Sequence, residues 1–136
     1  MRIWRMGGIK IKRRMVPALA VFVLAITYTP AQCSALKVWY DGYNEQYFDG
    51  MLPRNTEVTY GDLPGDLAVT FKQGGRFHIV IDKETNKAPS TAHLSLLHEA
   101  CHLATWNVDK SIDGHGPEFR ACIDRLYKAG ALEGLL

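Results

Sequence analysis

The chain has 136 residues, with 16 Lys and Arg against 14 Asp and Glu, a net charge of +2. That length suits one small domain and excludes two. Six of the basic residues and none of the acidic ones fall in the first 35 positions, which leaves 10 basic and 14 acidic residues, a net −4, on the rest. A domain of that charge has no general attraction for phosphate backbones.

The first segment has its own composition. Arg2, Arg5, Lys10, Lys12, Arg13 and Arg14 precede an apolar run from Met15 to Thr27, and the small residues Ala31, Cys33, Ser34 and Ala35 follow. This is the three-part plan of a secretory signal. Residues 1–35 are therefore expected to be a signal peptide or signal anchor, with Thr29-Pro30-Ala31 and Cys33-Ser34-Ala35 as candidate cleavage sites. The run is shorter than the roughly 20 residues of a spanning helix, which favours cleavage. If it is retained, residues 15–31 anchor the protein with the basic flank inside and the domain outside. On either reading the domain is exported, periplasmic or extracellular.

The domain proper is expected over residues 36–136. Leu36, Trp39, Tyr40, Tyr43, Tyr47 and Phe48 recur at helical spacing and predict a helix over 35–48, with the aromatic stripe as core. Asp49-Gly50 and Pro53 end it. Three strands are predicted next, over 56–60, 67–71 and 77–81. Leu67, Val69 and Phe71 share one face, as do Phe77, Ile79 and Ile81, and Gly74-Gly75 forms a hairpin turn between the last two strands. A second helix opens at Pro89-Ser90, with Ser90 as N-cap, and runs to about Trp106, burying Leu94, Leu97, Cys101 and Ala104. A polar loop, 107–116, leads to a third helix with Pro117 in its first turn and Gly130 at its stop. Phe119, Cys122, Ile123 and Leu126 form that helix's apolar stripe. The order helix, small three-stranded sheet, helix, helix predicts an α+β fold.

The second helix carries His98-Glu99-Ala100-Cys101-His102. Residues four apart on a helix lie about 40° apart around its axis, so both imidazoles can face one metal ion while Glu99 reaches a water on it. A catalytic zinc needs a third protein ligand. A third histidine at position 108, after a glycine at 105, would fit one known pattern, but this chain has Thr105 and Val108. Glu118 and Asp113 are alternatives. His115 is the better candidate, because Gly114 and Gly116 let the backbone turn and bring its ring back.

Together, H-E-x-x-H at 98–102 and Gly114-His115-Gly116-Pro117-Glu118-Phe119 resemble the SprT-like metallopeptidase family, with its H-E-x-x-H helix followed by H-G-x-x-F. Tyr43-Asn44, Tyr47-Phe48-Asp49-Gly50-Met51-Leu52-Pro53 and Leu96-Leu97 fit the same family, so the match spans about Trp39 to Tyr127. The resemblance implies a zincin-like minimal domain in which His98, His102 and His115 bind Zn2+ and Glu99 is the general base for peptide hydrolysis. Family members often carry a cysteine-rich zinc ribbon after the catalytic domain, and some act on DNA-crosslinked proteins. No C-x-x-C occurs here, and no nucleic-acid partner is expected.

The expected function is thus an exported zinc metallopeptidase, an endopeptidase acting on protein or peptide. The alternatives are a zinc-stabilised peptide-binding domain without catalysis and a hydrolase of a cell-wall amide. Other polar residues have plainer readings. His78 is expected on the outward face of its strand and His93 on a helix surface. Asp109 and Asp113 are expected to solvate the loop, the alternative for Asp113 being to orient a ligand imidazole, and Glu118 complements the helix dipole. For Cys101 and Cys122, a bridge and two buried thiols both stay open. A bridge would close a loop of about 20 residues and contribute roughly 3 kcal/mol.

Overall fold

The computed structural model describes residues 2–4 and 30–136. The apolar run read as an export signal, 15–27, lies outside the described residues. Among those described, no helix is long and apolar enough to cross a membrane.

The first helix, α1, spans Pro30–Tyr47, so it begins ahead of the expected start and takes in Cys33-Ser34-Ala35. Leu36, Tyr40, Asn44 and Phe48, each four residues apart, form a buried ridge. Trp39, Tyr43 and Tyr47 form a half-buried second ridge packed on the same core. Asp49 and Gly50 end the helix in the left-handed region, at φ 53° and 69°. The Gly50 N–H then reaches back to the Asn44 carbonyl at 2.9 Å, a bond that satisfies a helix-end carbonyl. The Asn44 side chain fixes the turn by exchanging two hydrogen bonds with the Leu52 backbone, at 2.9 and 3.1 Å.

The three expected strands are present as β2 (Glu57–Gly61), β3 (Ala68–Gln73) and β4 (Arg76–Asp82). The structure adds β1, Arg2–Trp4, antiparallel to the outer edge of β3. The sheet order is β1-β3-β4-β2, with β2 parallel to β4. β3 and β4 form the expected hairpin. Gln73 faces Arg76, and the two turn residues Gly74 and Gly75 have φ 57° and 76°, as a tight hairpin turn requires. Ile79 and Ile81 of β4 face the core, and so do Ala68 and Thr70 of β3. Val69 and Phe71 lie on the other face of the sheet with Val80 and Leu63. His78 is on that outer face too, but it is less exposed than expected. Its ring stacks on Phe71 at 4.9 Å, and its Nδ1 lies 3.0 Å from Glu57.

Helix α2, Pro89–Ala104, lies across the inner face of the sheet and is buried almost all round from Ser95 to Leu103. Two expectations fail here. Ser90 is not the N-cap: Pro89 takes the first helical position and Ala88 the cap, with no capping side chain, because proline's fixed φ already suits that position. Ala104 is exposed, since the helix end passes out of the core. Asn86 ties α2 to the sheet by accepting from Ser95 Oγ at 2.7 Å and donating to the Leu67 carbonyl at 2.9 Å. Helix α3, Pro117–Lys128, buries Phe119, Cys122 and Leu126 and stops near Gly130, φ 79°. Cys122 is disulfide-bonded to Cys101 of α2, which settles the pairing in favour of the bridge.

Candidate metal centre

His98 and His102 sit one helical turn apart on the buried middle of α2, their rings 4.9 Å apart. His115 arrives from the loop before α3. One nitrogen from each of the three imidazoles lies within 4.8 Å of the others, and His98 Nε2 and His115 Nε2 are 3.1 Å apart. Three nitrogens around one tetrahedral zinc stand about 3.4 Å apart, so the donor set fits such an ion in both chemistry and spacing. Glu118 is exposed and outside this group, because the first turn of α3 points it to solvent.

Phe119 is the floor of the cluster. Its ring centroid is 4.7 Å from that of His98, 4.4 Å from His102 and 4.8 Å from His115. That contact gives the phenylalanine of the H-G-x-x-F pattern a physical role, since a rigid apolar wall limits how far the rings can turn.

The loop that delivers His115 is organised by an aspartate expected in solvent. Asp109 is buried. Its Oδ1 accepts from the Ser111 N–H at 2.8 Å and the Ser111 hydroxyl at 2.6 Å, and its Oδ2 accepts from the Gly116 N–H at 3.0 Å. A Cβ at position 116 would stand 2.6 Å from Asp109 Oδ1, so the glycine is needed for close approach. Asp113 is exposed, as a solvated loop residue should be; its Oδ1 accepts the His115 N–H at 3.0 Å, and its Oδ2 lies 3.8 Å from His115 Nδ1, beyond hydrogen-bond distance.

Glu99 is wholly buried beside His98. Its Oε2 accepts a 2.5 Å hydrogen bond from Thr70 Oγ1, while Oε1 has no hydrogen-bond partner among the described residues. Burial pushes the carboxyl up to about 8 in the metal-free protein, against the opposing pull of the Thr70 bond. Burial also holds His98 well below its ordinary value, helped by His102 and His115. Neutral imidazoles are the form that ligates a metal.

The family model described as the SprT-like family matches residues 36–133. This chain belongs to the SprT-like family. The match runs from within α1 to beyond α3, and it includes every residue of the histidine cluster. In this SprT-like domain motif and spacing point to the three histidines that the fold brings together, whereas the Thr70 and Asp109 contacts are far less legible. A faint signal existed for Thr70, whose strand neighbours Val69 and Phe71 are large and apolar while it points to the opposite face.

Proposed function

We propose that this SprT-like protein is an exported zinc-dependent endopeptidase. The observation that carries the reading is the pairing of a three-histidine cluster with a buried carboxylate that keeps one oxygen unpartnered. A site built only for stability has no need of such a base. His98, His102 and His115 would hold the ion, leaving a fourth position open. Zinc bound there supplies Lewis-acid polarisation of a water and of a peptide carbonyl.

The chain's own residues do the rest. Glu99 takes the proton of the attacking water as the new C–O bond forms. It passes that proton to the amine nitrogen as the C–N bond breaks, so the water is consumed and Glu99 returns to its starting state. Phe119 and Asp109 keep the histidines in place. Export rests on the basic flank and apolar run of residues 1–35, and the net −4 of the remainder supports protein rather than nucleic acid as partner.

Two measurements test this. The full chain, loaded with zinc, should cleave casein, and Glu99→Gln should keep the metal while losing most turnover, on the order of 100-fold or more. Equal turnover in both sinks the mechanism, and no turnover in either favours the peptide-binding alternative. A reporter fused after Ala35 should appear outside the cytoplasm of a bacterial host. A soluble cytoplasmic reporter removes export.

A further inference from the structure

Thr70 sits mid-strand in β3, wholly buried, with Ile79 of β4 beside it in register. On its other side Arg2 of β1 stands in register with it, and along β3 the same face carries Ala68 before it and Lys72 after it. Valine has the same shape and suits a strand equally well, and a buried hydroxyl without a partner is costly. The hydroxyl needs a partner, and the partner it has is Glu99 Oε2 at 2.5 Å.

A carboxylate turns easily about its last side-chain torsion, whose energy wells are broad. One oxygen held by a hydrogen-bonded strand removes that freedom. The other oxygen, Oε1, is then fixed in place with no partner of its own among the described residues. We propose that Thr70 is the positioning residue for Glu99, its hydroxyl clamping Oε2 so that Oε1 is presented to the reacting water. The proposal rests on the reading of Glu99 as general base.

The test uses the full chain loaded with zinc and compares Thr70→Val, which keeps the shape, with Thr70→Ser, which keeps the hydroxyl. Thr70→Ala replaces the valine variant if that one does not fold. Zinc content should be unchanged in all of them. In Thr70→Val, kcat should fall about 10- to 100-fold, the scale of a misplaced catalytic group, with KM little altered. Thr70→Ser should stay within about threefold of wild type. In a Glu99→Gln background, Thr70→Val should lower kcat no further, because coupled residues do not add.

A second readout needs no turnover. A peptide hydroxamate, which chelates zinc and shares a proton with the base, should bind Thr70→Val on the order of tenfold more weakly by calorimetry, with affinity restored in Thr70→Ser. Wild-type kcat and hydroxamate affinity in Thr70→Val overturn the proposal, as does a serine variant as impaired as the valine one. If the wild type cleaves nothing, the peptidase reading fails, and the hydroxamate comparison alone then decides the role of Thr70.

Discussion

Glu99→Gln should have opposite effects on activity and on stability, and the second can be worked out from the structure. In the zinc-free native state burial raises the Glu99 carboxyl to about 8, whereas its ordinary value is 4.5. Between those values the native state keeps a proton that the unfolded chain has released. The unfolded state therefore binds fewer protons, and stability must fall as pH rises. The gap of about 3.5 pH units, at about 1.4 kcal/mol per unit, makes this one carboxyl cost about 4 kcal/mol at pH 8 and under about 1 kcal/mol at pH 5. Glutamine never ionises, so it escapes that cost. Its amide places a donor where Oε1 now stands without a partner, a pH-independent penalty of about 1–3 kcal/mol. The zinc-free variant should thus be more stable than wild type by about 1–3 kcal/mol at pH 8, and equal or less stable at pH 5. Urea unfolding of both proteins after chelation, disulfide intact, measures the difference. Acid titration of the histidines is common to both and cancels. A stability difference that stays constant from pH 5 to pH 8 would refute the reasoning, because the swing of about 3–4 kcal/mol comes only from the buried carboxyl.

Three further outcomes are expected. His98→Ala, His102→Ala and His115→Ala should each weaken zinc binding by about 100-fold or more in chelator competition, removing one of three ligands, while Glu118→Ala stays at wild type. Retained affinity in His115→Ala with loss in Glu118→Ala would reassign the third ligand. Gly116→Ala should destabilise the fold by roughly 1–3 kcal/mol, the usual cost of overpacking, because its Cβ would press within 2.6 Å of Asp109 Oδ1; an unchanged urea midpoint would show that the loop yields freely. Replacing Cys101 and Cys122 together by alanine should cost about 3 kcal/mol in the chain-entropy view, from their separation of 21 residues, and an unchanged midpoint would deny the bridge a role in stability.

The parts of the molecule legible in the sequence are those governed by local rules. A four-residue spacing on a helix determines that His98 and His102 face the same way, wherever that helix lies. Gly74-Gly75 defines its hairpin because only such residues accept the backbone of that turn. What was illegible depends on distant partners. An aspartate in a polar loop reads as solvated, and only the returning Gly116 amide makes Asp109 a buried anchor. A threonine in a strand reads as ordinary sheet, and only the approach of α2 gives Thr70 a carboxylate to hold. The parallel pairing of β2 with β4 is likewise a long-range choice, invisible to alternation within either strand. Ser90 failed as N-cap for a local reason that was on the page, the proline directly before it.

The disulfide has a thermodynamic corollary. The histidine cluster joins residues 98 and 115, and the bridge joins residues 101 and 122, so the two closures span overlapping stretches of one chain. Once the sulfurs are joined, most of the conformational freedom that an ion would have to remove from the intervening loop is already gone. An ion bound there would therefore meet a preassembled site in the oxidised protein and a looser one in the reduced protein. By the symmetry of coupled equilibria, the factor by which oxidation would tighten metal binding is the factor by which bound metal would protect the bridge from reduction.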